Sequence, residues 1–477
     1  MAPTTVPETT EPATTQPATT QPATTQPATT QPATTGPSTT APALPARDVL
    51  DVGEAKSARP WDDLVRAALA DLERWWGEQF PVHYGSPYTP LAGSVYAAYP
   101  QRTTPIPGCG TSEPTTYEEI SQYGAFFCEE GDFLVYDEGD GGVLVELANE
   151  FGPPILGVVL AHEYGHVVQA RAGDLDRDLP TISTEQQADC FAGAWVARAV
   201  RGEATGVAFA DADVRTGLIA MITVRDPIGI DQLDSGGHGS AFDRVGAFQV
   251  GYVGGVESCI DLLDEPLPLV PNVFSPLDSD PDGNAPFGYG AGQVGGFLVE
   301  DLNLYWPQAL TAQGAQLPVL RLVPINDPNE VTCQEPAGDI AVGAVHCPAT
   351  GQVFFDESFG LDVYERFGDF AVGYVLGMAW SEAAQRALDS PLEGEERALV
   401  SDCLTGAWAA DIIPRDNQAT RSVVISPGDL DEAIQTALVV GDTGSSDDIN
   451  GSGFEKIASF REGVLNGISV CIERLDD

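Results

Sequence analysis

Two stretches of this chain lie over two later ones without a gap, and that internal repeat limits the fold more than any other feature. Gly157 to Gln169 lies over Gly373 to Gln385. His238-Gly239-Ser240 through Cys259 lies over Asn450-Gly451-Ser452 through Cys471. Between them, Ala188 to Trp195 matches Ser401 to Trp408. The weaker pairs keep the same order: Trp75-Trp76 with Val299 to Trp306, and Phe126 to Asp137 with Val345 to Asp356. The cysteines divide four and four at matching places. A chain that repeats itself this way builds one unit twice. We therefore expect tandem copies at 51–265 and 286–477, joined by a Pro-, Asp- and Gly-rich linker at 266–285.

The first copy carries His162-Glu163-Tyr164-Gly165-His166 inside a stretch that reads as a helix over 157–170. Pro153 and Pro154 sit where a first turn tolerates them, and Gly173 where a C-terminal cap is expected. Two histidines four residues apart face the same way, about one turn apart. They can share one tetrahedral metal, while Glu163, about 100° round the helix, can reach a water without being a ligand. The chain has only five His, so a chance match is rare.

A second helix is expected from about Thr184 to Arg201, with Ser183 and Gln186 as a capping box and Gly202 as the stop. Ala188, Phe191, Ala192 and Trp195 give it an apolar stripe. Glu185 in its first turn is the natural third ligand, completing a His2Glu zinc site with one open position. Asp189, one turn later, can accept the free ring N–H of a liganding histidine.

The second copy lacks this chemistry. Met378 stands for His162, Ala379 for Glu163, Glu382 for His166 and Ala398 for Glu185, while Asp402 keeps the place of Asp189. It reads as a degenerate copy unable to hold the metal.

HEYGHVVQ followed by EQQADCFAGAW resembles the bacterial neutral zinc metallopeptidase family, which is related to the gluzincins. Asp71 to Trp76, Phe126 to Asp137 and Gly237 to Val245 resemble further family segments, so the likeness covers roughly 61–259. The resemblance implies a zincin-like fold, mainly α with a small β component (α+β). It also implies one Zn2+ per chain on His162, His166 and Glu185, with Glu163 as base.

Composition bears on compartment and partners. There are 71 acidic against 22 basic residues, a formal charge of −49, and the only lysines are Lys56 and Lys456. Such a surface repels nucleic acid and anionic lipid, so neither is expected as a partner. Residues 1–50 are a Thr/Pro stalk built on a PATTQ unit, without the apolar side chains a core needs. No export signal or membrane span is legible, and we expect that signal upstream or removed. An even cysteine count in such a chain points to disulfides and to an extracellular or cell-envelope place. Each half allows three pairings; we favour Cys109–Cys128, Cys190–Cys259, Cys333–Cys347 and Cys403–Cys471.

The leading expectation is a zinc endopeptidase acting on peptide or protein substrates. His238, replaced by Asn450 in the second copy, is a candidate donor to the developing oxyanion. Two alternatives stay open: a peptide- or envelope-binding scaffold with a structural zinc, and a zinc amidase acting on cell-wall peptides.

Overall fold

A computed structural model describes residues 48–227, 233, 236–270, 283–333, 343–413, 426, 428–441 and 452–475. Most of the expected stalk, the middle of the expected linker and Asn450 lie outside them.

The first half runs β1 (Leu50–Asp51), α1 (Asp62–Tyr84), β2 (Val95–Ala98), α2 (Tyr117–Ile120), β3 (Ala125–Cys128) and β4 (Phe133–Asp137). It continues through α3 (Val143–Phe151), α4 (Pro154–Ala172), α5 (Thr181–Val200), α6 (Asp211–Thr223), α7 (Ala241–Gly254) and α8 (Glu257–Ile260). The second half follows with α9 (Val294–Thr311), β5 (Arg321–Ile325), β6 (Ala344–Cys347), β7 (Gln352–Asp356) and α10 (Glu357–Phe367). It closes with α11 (Asp369–Ala387), α12 (Gly394–Ile412), α13 (Asp429–Gly441), α14 (Gly453–Asn466) and α15 (Ile468–Glu473). The fold is mainly α with a small β component, as expected.

Each half has one small sheet of the same design. In the first, the order is β1-β2-β4-β3, with β2 parallel and β3 antiparallel to β4. In the second, the order is β5-β7-β6, with β5 parallel and β6 antiparallel to β7. One hydrophobic core runs from Val49 to Leu475 and takes in helices of both halves.

Helix α4 is an interior helix. Val158, Val159, Leu160, Val167 and Val168 are all buried, on more than one face. It opens on Pro153-Pro154 and closes on Gly173, whose φ of 78° is the left-handed cap expected there. Helix α1 continues through Pro81 to Tyr84. Packing supports its last turn: Phe80 is buried and stacks on Tyr84 at 4.6 Å.

Helix α5 begins at Thr181, a turn before the expected start, and no side chain caps it. The Ser183–Gln186 capping box does not form, because Pro180 starts the helix and Ser183 already donates its N–H to the Pro180 carbonyl (3.0 Å). Burial of Ile182 holds the added turn against the core. Glu185 consequently sits beyond the first turn.

Helices α5 and α7 cross so closely that a Cβ on Gly193 would meet the Phe248 carbonyl oxygen at 2.0 Å. One on Gly251 would meet the Cys190 carbonyl oxygen at 1.8 Å. In the second half Gly406 and Gly463 interlock α12 and α14 in the same way.

All eight cysteines pair as favoured, with Cα separations of 5.5–5.6 Å. Cys190–Cys259 spans 69 residues and ties α5 to α8. A loop of that length stabilises by about 4 kcal/mol on the chain-entropy model. Replacing both cysteines with Ala should lower the unfolding free energy in urea by about that much. An unchanged midpoint would mean the crosslink constrains nothing.

Candidate metal centre

The two histidines of α4 and Glu185 of α5 meet in one buried place. His162 Nε2 lies 3.3 Å from Glu185 Oε2, and His166 Nε2 lies 3.4 Å from Glu185 Oε1. Ligand atoms of all three residues fall within 4.8 Å of one another. Two donors bound about 2.0–2.1 Å from one tetrahedral zinc stand about 3.3–3.4 Å apart, so the spacing fits that ion. Glu185 Oε2 is buried and makes no hydrogen bond, as an oxygen reserved for a metal should be.

Each imidazole is held from behind. His162 Nδ1 faces Asp189 Oδ1 at 2.7 Å, the role expected of Asp189. His166 Nδ1 meets Gln169 Oε1 at 2.9 Å, and Gln169 Nε2 donates to the Thr184 carbonyl (2.7 Å) and to Gln187 Oε1 (3.1 Å). These contacts place the proton on Nδ1 and leave Nε2 to the metal.

Sequence reasoning missed the residue that completes this frame. Arg244 of α7, 2% exposed, grips Asp189 with two bonds, Nε to Oδ2 (2.8 Å) and Nη2 to Oδ1 (2.7 Å). Its Nη1 donates to the Val224 carbonyl at 2.6 Å. A fork-on-carboxylate contact fixes direction as well as charge. The same register in the second half offers a signal: Lys456 lies over Arg244 and bonds Asp402 at 2.8 Å, both side chains fully buried.

Burial opposes charge throughout this pocket, and neighbours decide the outcome. Burial alone would push the Glu185 and Asp189 carboxyls up. The His166 and His162 imidazoles hold Glu185 well below its usual range, and Arg244 with His162 holds Asp189 down. Burial pushes the Glu163 carboxyl up, against both imidazoles, and the group stays raised. A raised carboxyl is suited to exchanging a proton near neutrality.

One expected residue, His238, lies outside this three-residue cluster. The exposed His238 ring turns its Nδ1 toward Asp226 Oδ1 at 3.4 Å, and Asp226 also accepts the His238 and Gly239 N–H groups. Tyr164 is fully buried in the core.

Residues 34–261 match the family described as "Putative neutral zinc metallopeptidase". That part of the chain is similar to the neutral zinc metallopeptidases. The similar curated proteins are themselves described as uncharacterized. Rv2575 of Mycobacterium tuberculosis (strain ATCC 25618 / H37Rv) is 33% identical over 175 residues, covering 32% of this chain and 57% of that protein. YpfJ of Escherichia coli (strain K12) is 27% identical over 156 residues, covering 29% and 51%. The chain thus spans little more than half the length of the relatives it matches. No solved structure matches it. Among the described residues, no helix of this chain is long and apolar enough to cross a membrane.

Proposed function

We propose that the first half is a zinc-dependent peptidase. The carrying observation is the convergence of His162, His166 and Glu185 at tetrahedral spacing, with buried Glu163 on the same helix. A zinc ion held by these residues supplies Lewis-acid activation of water and of a substrate carbonyl. Glu163 takes a proton from the attacking water at its carboxylate and hands it to the leaving amine nitrogen. Asp189 and Gln169 keep the two imidazoles in the ligating tautomer. His238 donates to the developing oxyanion.

The second half is a degenerate copy of the same domain, and matched buried contacts support this. Trp195 Nε1 donates to Asp71 (3.1 Å), and Trp408 Nε1 to Asp301 (2.9 Å). Gln169 Nε2 donates to the Thr184 carbonyl, and Gln385 Nε2 to the Arg397 carbonyl (2.8 Å). Where the first half has ligands, the second has an ion pair: Glu382 Oε2, at the place of His166, meets Arg397 Nε at 2.7 Å. The Tyr374 hydroxyl bonds Asp402 in the role His162 plays for Asp189. Together with the stalk and the paired cysteines, the acidic surface supports an exported protein.

Metal content of the purified chain tests the reading. One zinc per chain, lost in His166→Ala, is expected, with cleavage of a peptide library and none of purified peptidoglycan. Two zinc ions would overturn the degenerate second half. None, after zinc is supplied at neutral pH, would favour the binding scaffold, and cleavage of peptidoglycan alone would favour the amidase.

A further inference from the structure

Helix α7 carries Arg244, and the second half holds that helix by its first turn. The N-terminal N–H groups of a helix have no partners within it. Ser240 Oγ accepts the Asp243 N–H at 3.1 Å. The remaining donors go to Asp431 of α13: the Ala241 N–H reaches Oδ2 at 3.2 Å and the Phe242 N–H reaches Oδ1 at 3.0 Å. Asp431 is 3% exposed, so this cap is made inside the protein.

The same carboxylate reaches the segment behind Arg244. Arg225 Nε lies 3.2 Å from Asp431 Oδ2. Its neighbours on either side are Val224, whose carbonyl accepts Arg244 Nη1, and Asp226, which holds His238. A second grip comes from Arg461 of α14, which donates Nε–H to the Phe242 carbonyl (2.9 Å) and lies over the Phe242 ring at 4.6 Å. Gly246 is what lets that side chain lie along α7, since a Cβ there would meet Arg461 Nη2 at 1.8 Å.

We infer that Asp431, in the half whose matching positions lack the His162, His166 and Glu185 ligands, is a positioning residue for the metal centre in the other half. It fixes the first turn of α7 and the 224–226 segment together; these fix Arg244, which fixes Asp189, which aims His162. Continuous hydrogen bonds and ion pairs carry the coupling over this path. The inference rests on the zinc reading above and adds a use for the second half: it braces the site it does not itself contain.

The test uses the full chain, loaded with zinc or with cobalt as a spectroscopic stand-in. Asp431→Asn keeps size and shape but removes the charge and turns one acceptor into a donor facing backbone N–H groups. Zinc release to an excess of chelator should be about 10-fold faster than in the wild type, the usual scale for losing a partner behind a ligand. The visible cobalt bands should shift as well. Gln249→Ala is the control: it removes a bond to the Phe454 carbonyl (2.8 Å) across the same interface, further along α7. It should leave release and spectrum unchanged.

Wild-type release and an unaltered cobalt spectrum in Asp431→Asn, even with a lower Tm, would overturn the inference. If that variant does not fold, Arg461→Met loosens the same turn and is read in the same way. Wild-type behaviour there would overturn the inference equally. A wild-type chain that binds no zinc, or one that keeps it in His162→Ala, would sink the zinc reading itself, whatever Asp431→Asn does.

Discussion

Glu163→Gln is expected to keep the zinc and lose about three orders of magnitude in kcat/KM, within the usual contribution of a positioned acid–base group. The side chain is buried on α4 and is not among the converging ligand atoms, so an amide of equal size leaves the helix and ligands in place. What it cannot do is accept a proton. The comparison needs kcat/KM on one cleaved peptide, zinc per chain, and a far-ultraviolet spectrum showing an unchanged fold. Full activity in this variant would remove Glu163 from the mechanism. Loss of zinc with the activity would make it a ligand instead, and the site would need redrawing.

Arg244→Met should give the largest stability loss of any single change near the site. It leaves Asp189, fully buried, without the guanidinium that meets both its oxygens. Breaking one side of a buried ion pair costs about 3–5 kcal/mol. Zinc affinity should fall about 10- to 100-fold, because His162 loses the group that orients its partner. Arg244→Lys should fall between, since Lys456 shows that an ammonium can serve this carboxylate position, though without the two-pronged contact. Urea unfolding and chelator competition measure both effects. An Arg244→Met chain as stable as the wild type would show that Asp189 does not depend on it.

The reactive part of the site was legible because it is local. His162 and His166 are one turn apart on a single helix, and neither tertiary contact nor burial was needed to place them together. Glu185 and Asp189 required a second helix of the right kind, and the sequence supplied it, although its start was misplaced. Pro180 outweighed Ser183 as the starting residue, and the capping pattern had no way to register the burial of Ile182. Arg244 was not legible in the same way. It stands 82 residues from His162, and one arginine in a helix carries no spacing signal. Its meaning lay in the register between the halves, where Lys456 holds Asp402. The grip of α13 and α14 on α7 was less legible still. It is made from long-range carboxylate-to-backbone and arginine-to-carbonyl contacts, which leave no trace in hydrophobic periodicity.

The Glu382–Arg397 pair has a consequence for how the chain meets its surroundings. On the proposed zinc reading, His162, His166 and Glu185 tie two helices of one half through an ion from outside, whereas Glu382 and Arg397 tie two helices of the other with side chains the chain brings with it. Where zinc is withheld, that reading has only the first fastening come undone. A chain arranged in this way can lose its chemistry and keep its shape, then regain that chemistry when the ion returns, with no need to fold again.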